Sequence, residues 1–372
     1  MASTSQKSSE SKQLSPRTSE LNALRQRGYT IGRKIGQGSY ASVHIADYID
    51  RSLRKERLAC KIFDRSKAPN DFLEKFFPRE IDVLCNIEHE FVVRVHSILQ
   101  RGPKVFIFMM YAENGDLLDH IKRNGIVSES SAKHWFRQIT SGLRYLHSKN
   151  IAHRDMKCEN ILLTRDYQVR IADFGFARYC TNKLGRRVLS ETYCGSAAYA
   201  APEIVMGRAY NPKLADIWSV GIILYIMLNG TMPFNDENLK KLLKDQLNRN
   251  WAFRNRVKNI VTAQCKSILK HILEPDIMLR YTLDRIAAHD WLRGHHHHSQ
   301  HRPTTPCRML ERETSIASNE DGDTASRRER ETESRAAARR VSRLLNKNKS
   351  KKNLVESRGE KGESRGERFV KE

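Results

Sequence analysis

The spacing of apolar residues changes along the chain and predicts two different structural regions. Residues 29–112 alternate in short apolar runs, with one helical pattern at 71–87, which is typical of a small β-rich region. After Gly115 the apolar residues recur at helical spacing, most clearly over 136–146, and the run 216–228 is apolar almost all round. The pattern therefore predicts an α+β fold with a small β-rich N-lobe and a larger helical C-lobe.

The two ends of the chain lack this periodicity. Residues 1–28 are rich in Ser, Lys and Gln, and residues 293–372 form a basic, low-complexity segment dominated by Arg, Lys, Glu and Ser. Such compositions bury too little apolar surface to offset the entropy cost of ordering the chain. We therefore predict one folded domain at 29–292, between a disordered N-terminal tail at 1–28 and a disordered C-terminal tail at 293–372.

Charge and cysteine content narrow the class of protein. The 372-residue chain has a formal net charge of +23, which favours weak attraction to anionic partners, but it contains no nucleic-acid-binding motif and no DNA partner is expected. Its seven cysteines are scattered without a Cys-x-x-Cys pair, which argues against structural zinc and a disulfide framework. No apolar signal segment or membrane-length run is present, so we expect an intracellular monomer without membrane association.

Five short motifs occur in an order that carries more information than any one of them alone. The motifs are Gly36-Gln37-Gly38, Ala59-Cys60-Lys61, His153-Arg154-Asp155 with Asn160, Asp173-Phe174-Gly175 and Ala201-Pro202-Glu203. Taken singly, Gly-x-Gly between apolar residues is equally an ordinary hairpin turn, and Asp-x-x-x-x-Asn is equally a solvated loop. In this order the motifs resemble the nucleotide loop, strand lysine, catalytic loop, metal-binding turn and activation-segment end of protein kinases.

A closer resemblance covers residues 29–292 and stops at the tails. Residues 77–80, 154–160 and 192–203 resemble the testis-specific serine/threonine kinases, within the calcium/calmodulin-dependent-kinase-like group. The resemblance implies the bilobal protein kinase fold and transfer of the γ-phosphate of ATP, with Mg²⁺, to serine or threonine in protein substrates. It also implies a role in spermatogenesis or sperm function and a cytoplasmic location, with the sperm flagellum and the nucleus as alternatives.

Two other functions stay open. A catalytically weak kinase-fold scaffold with a basic binding tail would keep the fold. Such proteins usually lose one of Lys61, Asp155 or Asp173, and all three are present. A small-molecule kinase of related fold is disfavoured by the motif at 201–203, for which Arg280 is available as an ion-pair partner.

The resemblance assigns the catalytic and metal-binding roles residue by residue. Asp155 would accept the proton of the attacking hydroxyl, and Lys157 would place a point charge against the transferring phosphoryl group. Asn160 and Asp173 would hold Mg²⁺, a hard ion that prefers oxygen ligands. Lysine two positions after the aspartate is the pattern of serine/threonine kinases rather than tyrosine kinases.

Lys61 and Glu80 are interpreted as an ion pair. A lysine in an apolar strand is costly unless its charge is paired. Residues 77–84 indicate a helix with Pro78 near its start, and Glu80 shares one face of it with Leu84. In kinases the corresponding glutamate pairs with the strand lysine and sets the phosphates in place. An ordinary surface glutamate is the alternative.

The remaining nucleotide-binding residues follow from the same resemblance. They belong to the loop, to apolar positions that would pack on adenine, and to a hinge at 109–112. With Lys61, the predicted set is Ile35, Gly36, Gln37, Gly38, Ser39, Tyr40, Ala41, Ser42, Val43, Ala59, Met110, Ala112, Asp116 and Leu162. Ala41 replaces the usual third glycine, so the tip of the loop is predicted to be stiffer.

Regulation and substrate choice are also implied by the resemblance. Thr192 matches the activation-loop phosphosite of this group, and its phosphate, added by an upstream kinase, would dock against Arg154. Ser196 is predicted to serve the substrate site. Asp116 and Glu159 match acidic positions that accept arginines ahead of the target hydroxyl in basophilic relatives.

The C-terminal tail contains a sequence of the kind that such a site would accept, Arg339-Arg340-Val341-Ser342. Autophosphorylation or pseudosubstrate docking at Ser342 is therefore a hypothesis. Chance is its rival, because arginine-rich tails generate such strings freely.

Overall fold

The computed structural model of this protein describes residues 16–293, except for residues 39, 76, 183, 187 and 192–194. The described chain forms two compact units. The N-terminal unit contains the described residues up to Ala68 together with Val95–Tyr111, and the C-terminal unit contains Pro69–Arg94 together with the described residues from Ala112 onward. Ser39, Thr192 and the tail from residue 294 lie outside the described residues, so the predictions made for them are not addressed by the structure.

The N-terminal unit is built on one antiparallel sheet of five strands. The strands are β1 (Tyr29–Gln37), β2 (Ala41–Ile49), β3 (Lys55–Asp64), β4 (Val95–Arg101) and β5 (Lys104–Met110). Their order across the sheet is β1-β2-β3-β5-β4. A two-residue turn joins β4 to β5, and Gly102 in this turn adopts a positive φ of 53°, which glycine tolerates without a steric penalty. The β-rich N-lobe predicted from the alternating pattern is confirmed.

The two faces of this sheet have different surroundings. Leu58 and Cys60 of β3 are buried with Phe108 of β5 in one hydrophobic core. Because successive residues of a strand point to opposite faces, Ala59 and Lys61 lie on the other face. The predicted adenine-contacting and phosphate-contacting positions of β3 are therefore separated from this core by the sheet itself.

A helix, α1 (Pro16–Arg25), precedes the sheet and packs on β1. Leu24 is completely buried in the hydrophobic core of the sheet, and Lys104 Nζ donates a hydrogen bond to Glu20 Oε2 at 2.7 Å. The predicted disorder of residues 1–28 is therefore wrong from residue 16 onward. Few apolar residues lie in this segment, so its pattern predicts no helix; only the sheet supplies the surface on which Leu24 is buried.

The C-terminal unit is mainly helical. Its helices are α2 (Asn70–Lys75), α3 (Phe77–Asn86), α4 (Leu117–Asn124), α5 (Glu129–Ser148), α6 (Pro202–Val205), α7 (Pro212–Asn229), α8 (Leu239–Leu247), α9 (Asn255–Lys258), α10 (Ala263–Ile272), α11 (Leu283–Ala288) and α12 (Asp290–Arg293). Four short strands form two two-stranded antiparallel sheets, and they are β6 (Ile151–Ala152), β7 (Ile161–Leu163), β8 (Val169–Ile171) and β9 (Arg178–Tyr179). The first pairs with the fourth and the second with the third. The predicted helical C-lobe is confirmed.

The single helix predicted at 71–87 is two helices, α2 and α3. Pro78 lies in the first turn of α3, where its missing N–H costs nothing, whereas in the interior of a continuous helix it would remove a hydrogen bond. Across the part of the chain that the structure describes, no helix has both the length and the apolar character needed to cross a membrane.

Helix α7 is the centre of the C-terminal unit. Asn211 caps its first turn, and Gly230 ends it in the left-handed conformation with φ 69°. All but two of its residues are buried, as its apolar pattern predicts. At Gly221 an added Cβ would lie only 2.5 Å from Ile272 of α10, which shows how closely the two helices approach. Burial on every side fixes α7 and therefore fixes Asp216, which it presents to the functional site.

Candidate active site

The loop between β6 and β7 brings three of the predicted catalytic and metal-binding side chains together. Asp155 is buried, with 5% of its surface exposed. Lys157 Nζ lies 2.8 Å from Asp155 Oδ2. Asn160 Nδ2 donates to the same Oδ2 at 3.1 Å and to the Asp155 carbonyl oxygen at 2.7 Å. Oδ2 thus takes these contacts, and among the described residues Oδ1 has no hydrogen-bond donor.

Asp216 of α7 holds this loop in place. Its carboxylate, 1% exposed, accepts the backbone N–H of His153 at 2.9 Å and of Arg154 at 2.7 Å. His147 Nε2 of α5 donates to Asp216 Oδ2 at 2.9 Å. A buried carboxylate needs such donors to offset the loss of water. They also hold Arg154 at φ 65°, a conformation that is strained for a residue with a side chain.

His153 connects the catalytic loop to the Asp-Phe-Gly turn. Its Nε2 donates to the carbonyl oxygen of Ala172 at 3.0 Å, and its Nδ1 accepts the backbone N–H of Asp155 at 3.3 Å. The imidazole ring also contacts Phe174 edge to face, with 5.1 Å between ring centroids. These bonds require the proton on Nε2. His153 therefore links Ala172, which precedes Asp173, to the backbone of Asp155.

Asn160 and Asp173 provide the oxygen donors expected of a Mg²⁺ site. The backbone N–H of Ala172 donates to the Asn160 carbonyl oxygen at 2.9 Å, which brings the two loops together. The Asn160 Nδ2 group donates both of its hydrogen bonds to Asp155, and in the described part of the chain the Asn160 side-chain oxygen accepts none. Within the described ranges, no group of three or more His, Cys, Asp or Glu side chains forms a metal site by itself. A Mg²⁺ ion held here would take its other ligands from phosphate and water.

Glu80 of α3 lies next to this turn. Glu80 is 3% exposed, and a Cβ added to Gly175 would lie 3.8 Å from Glu80 Oε2 and 3.5 Å from Asp173 Oδ1. Glu80 is therefore a buried carboxylate beside the metal-binding turn rather than a surface glutamate. Lys61 belongs to the N-terminal unit, and its pairing with Glu80 stays a prediction.

In the N-terminal unit, the predicted nucleotide-binding residues share one face of the sheet. Val43 of β2 pairs in register with Lys61 of β3, and Ala59 lies two residues before Lys61 on the same strand. Paired residues of neighbouring strands project to the same side. Val43, Ala59 and Lys61 therefore lie on the face opposite the core that includes Leu24.

The glycine loop is the turn between β1 and β2. Gly36 pairs with Val43, and Gln37 pairs with Ser42. The backbone N–H of Gly38 donates to the Ala41 carbonyl oxygen at 2.8 Å. The hairpin interpretation and the nucleotide-loop interpretation thus describe the same turn. Of the other loop residues, Ile35 is 41% exposed and Tyr40 is partly buried.

Asp116 and Leu162 form a backbone bridge in the C-terminal unit. The Asp116 carboxylate also caps α4 by accepting the backbone N–H of Asp119 at 2.9 Å. Burial raises the pKa of Asp116, and the carboxylates of Asp119 and Glu159 raise it further. Ala112 is buried in the same unit, whereas Met110 ends β5 in the other unit.

The predicted substrate-facing residues lie beside Asp155 and Lys157. Lys157 Nζ is 3.5 Å from Ser196 Oγ. Glu159 is exposed although its neighbours in the loop are buried, and its Oε2 accepts the hydroxyl hydrogen of Tyr199 at 3.3 Å. Gly195, at φ 87°, lies so close that an added Cβ would be 3.1 Å from Asp155 Oδ1. The segment after the activation loop therefore lies against the catalytic loop.

A cluster of three arginines is a feature that sequence reasoning missed in part. Arg154 Nη1 and Arg178 Nη1 donate to Ser190 Oγ at 2.9 and 3.4 Å. Burial lowers the pKa of Arg79, and the positive charges of Arg178 and Arg154 lower it further. Only Arg154 was predicted; Arg79 and Arg178 carry no signal that separates them from the other arginines of so basic a chain. The cluster concentrates positive charge two residues before Thr192.

Glu203 and Arg280 form the predicted ion pair. Arg280 donates from Nη1 to Glu203 Oε1 at 2.7 Å and from Nη2 to Oε2 at 2.9 Å. Nη1 also donates to the Leu214 carbonyl oxygen at 3.0 Å, and Nε donates to the Glu274 carbonyl oxygen at 2.8 Å. The pair ties the end of the activation segment to α7 and to the chain after α10.

Known proteins resemble this chain across the region that holds the site. The protein kinase domain family matches residues 29–292. Testis-specific serine/threonine-protein kinase 2 of Mus musculus is 44% identical over 271 residues, which cover 72% of this chain and 74% of that protein. Testis-specific serine/threonine-protein kinase 1 of Homo sapiens is 44% identical over 271 residues, covering 72% of each. Testis-specific serine/threonine-protein kinase 4 of Homo sapiens is 39% identical over 296 residues, covering 76% and 87%. The matched family region contains every site residue described above.

Proposed function

Because this chain belongs to the protein kinase family, as a serine/threonine kinase of the testis-specific group, we propose that its substrates carry arginine ahead of the target hydroxyl and that phosphorylation of Thr192 activates it. The family uses ATP and a divalent metal ion. Mg²⁺ is the proposed ion because Asn160 and Asp173 offer hard oxygen ligands. The observation that carries the substrate preference is the pair of carboxylates, Asp116 and Glu159, beside the catalytic loop.

In the proposed reaction, the substrate hydroxyl oxygen attacks the γ-phosphorus of ATP. The bond to the bridging oxygen breaks, ADP leaves, and Asp155 accepts the hydroxyl proton. Asp155 Oδ1 is the atom suited to this task, since Oδ2 already accepts hydrogen bonds from Lys157 and Asn160. An inert scaffold is the less favoured function, because the catalytic loop keeps Asp155 in contact with both Lys157 and Asn160.

The preference for arginine follows from charge. Glu159 is exposed, and the raised pKa of Asp116 reflects burial beside other carboxylates. Among the described residues, neither carboxylate forms an ion pair with lysine or arginine. A guanidinium group can bond a carboxylate through two parallel hydrogen bonds, so a peptide with arginines before its serine would supply the missing partners.

We expect kcat/KM for an Arg-Arg-x-Ser peptide to exceed that for the Ala-Ala-x-Ser peptide by about 10- to 100-fold, because hydrogen bonds to charged groups contribute about 1.5–3 kcal/mol. Steady-state assays should show this ratio falling in Glu159→Gln and in Asp116→Asn. Asp284→Asn, which removes an exposed carboxylate on α11, is the matched control and should leave the ratio unchanged. An equal ratio in wild type and both site variants would contradict the preference.

Activation by Thr192 is supported by the arginine cluster. Arg154 and Arg178 both donate to Ser190 Oγ, and their positive charges lower the pKa of Arg79. Among the described residues none of the three forms an ion pair with a carboxylate. A phosphate on Thr192 would add about 1.5–2 negative charges at pH 7. That charge would relieve the repulsion within the cluster by pairing with its guanidinium groups.

Thr192→Ala should lower kcat on the peptide at least about tenfold, because the arginine cluster then has no phosphate to bind. Thr192→Ser, which can still be phosphorylated, is the matched control and should keep most of the activity. Arg79→Gln should lower the activity of the phosphorylated enzyme while leaving that of the unphosphorylated enzyme unchanged. Full turnover by purified Thr192→Ala would rule the activation step out.

The names of the relatives suggest where this kinase acts. We propose a role in spermatogenesis or sperm function, supported by testis-specific kinases that are 44% identical. The proposed location is the cytoplasm, with the sperm flagellum and the nucleus as alternatives. Absence of the protein from developing and mature sperm, measured by immunolocalisation, would contradict this role.

A further inference from the structure

We propose that this kinase phosphorylates its own Ser342 in an intramolecular reaction, an inference that rests on the proposed preference for arginine. In this reaction the basic tail segment, defined as residues 335–352, docks on the carboxylates beside the catalytic loop. Both the docking surface and the reacting carboxylate belong to the C-terminal unit.

Ser342 has a sequence context that no other residue of the chain shares. It is the only serine or threonine with arginine at both the second and the third preceding positions, Arg340 and Arg339. The basic tail segment contains eight arginine and lysine residues and no aspartate or glutamate. The segment therefore combines a serine preceded by two arginines with positive charge that no acidic residue offsets.

The receiving surface has the opposite charge. Asp116 accepts the backbone N–H of Asp119 at 2.9 Å, and its backbone bridges to Leu162, three residues after Glu159. The carboxylates of Asp119 and Glu159 also raise the pKa of Asp116. Among the described residues, none of the three forms an ion pair with lysine or arginine. Docking of the basic tail segment would replace repulsion among carboxylates with attraction to guanidinium groups.

The two arginines before Ser342 are expected to pair with two of these carboxylates. Glu159 lies four residues after Asp155 in the same loop, whereas Asp116 precedes α4. In an extended peptide, Arg340 lies roughly 7 Å and Arg339 roughly 10 Å from Ser342. Arg339 and Arg340 are therefore expected to pair with Asp116 and Glu159.

The tail is long enough to reach the site. Helix α12 ends at Arg293, and Ser342 follows it by 49 residues. A random coil of 49 residues, the state that composition predicts for this tail, has a root-mean-square span of about 35–42 Å. A unit of roughly 200 residues has a radius of gyration of about 17 Å. The span thus matches the distance across the C-terminal unit. Such tethering gives an effective concentration on the order of millimolar.

The chemistry is the ordinary reaction of the enzyme with an internal substrate. Ser342 Oγ forms a bond to the γ-phosphorus of ATP, the bond to the bridging oxygen breaks, the proton passes to Asp155, and ADP leaves. The phosphoserine carries about 1.5–2 negative charges. Beside Asp116 and Glu159 this charge is repelled, so the segment leaves the site once Ser342 has been phosphorylated.

The test uses the full-length kinase, dephosphorylated and then shown to be active on the Arg-Arg-x-Ser peptide. The preparation is incubated with Mg-ATP at about 50 nM to 5 μM enzyme, and Ser342 phosphate is quantified by mass spectrometry. This roughly hundredfold range lies far below the millimolar effective concentration of the tethered tail. The expected rate per molecule does not depend on enzyme concentration. It is absent in Asp155→Asn and at least tenfold lower in the double variant Arg339→Ala/Arg340→Ala. The matched control Lys351→Ala/Lys352→Ala removes equal charge from the same segment and should react at the wild-type rate.

Release of the segment has its own measurement. Ser342→Ala cannot be phosphorylated, so its KM for the peptide should be severalfold above that of phosphorylated wild type, with kcat unchanged. Equal KM values would overturn the release step. Two results would overturn intramolecular phosphorylation in a preparation that phosphorylates the peptide: Ser342 stays unphosphorylated, or its rate per molecule rises with enzyme concentration. Either result would leave the proposed function intact. A preparation that phosphorylates neither substrate, even with Thr192 phosphorylated, would overturn both.

Discussion

Asp155→Asn should lower kcat for peptide phosphorylation by about 10²- to 10⁴-fold, the usual contribution of a general base. The amide has the shape of the carboxylate and can still accept a hydrogen bond from Lys157 or Asn160, but it cannot take the proton of the attacking hydroxyl. The variant should therefore fold normally and bind ATP while losing turnover. Steady-state phosphorylation of the peptide, together with thermal unfolding and nucleotide titration, separates these effects.

Asp166→Asn is the matched control for this variant. Asp166 is exposed in the turn between β7 and β8, so the same chemical change there should leave kcat unaltered. A kcat of Asp155→Asn within tenfold of wild type, in protein shown to be free of contaminating kinase, would mean that another group accepts the proton.

Arg280→Met should lower the free energy of unfolding by about 3–5 kcal/mol, the usual cost of removing one partner of a buried ion pair. Arg280 is 2% exposed, and its guanidinium group forms two hydrogen bonds with Glu203. The substitution leaves the Glu203 carboxylate buried without its partner and also deprives the Leu214 carbonyl oxygen of a donor. Urea denaturation of the purified kinase measures the change.

Two further variants show whether the loss comes from the unpaired charge. The double variant Glu203→Leu/Arg280→Met should recover much of the stability, because apolar side chains can replace a buried ion pair at little cost. Arg249→Met breaks a pair with Glu274 in which the arginine is 53% exposed, and should cost no more than about 1 kcal/mol. If Arg280→Met and Arg249→Met shift the urea midpoint equally, burial is not what makes the Glu203 pair important.

The sequence by itself was sufficient to predict the parts of the site that are local along the chain. Asp155, Lys157 and Asn160 lie within one loop of six residues, so their spacing alone already brings them near one another. The change from alternating to helical periodicity likewise predicts the two lobes, because each period reflects the geometry of a single element. The buried helix α7 follows from its own apolar composition in the same way.

Predictions from local pattern failed where stability depends on a distant surface. The segment from residue 16 to residue 28 has a polar composition, and its helix is stabilised by burial of Leu24 in the sheet core and by the Lys104–Glu20 contact. The helix propensity of this segment carries no information about the apolar surface that the distant strands of the sheet provide. The arginine cluster was missed for the same reason, since Arg79 and Arg178 are 99 residues apart.

Chemistry and element type were therefore determined by the sequence, whereas the position and support of the reacting groups were decided only by the tertiary structure. Asp216 accepts the backbone N–H groups of His153 and Arg154 across more than 60 residues, and Arg280 reaches Glu203 across 77 residues. Such contacts exist because packing brings distant elements together and removes water from between them. That burial makes an unpaired charge or amide costly, and so the donors around Asp216 and Glu203 hold the catalytic loop and the end of the activation segment in one arrangement.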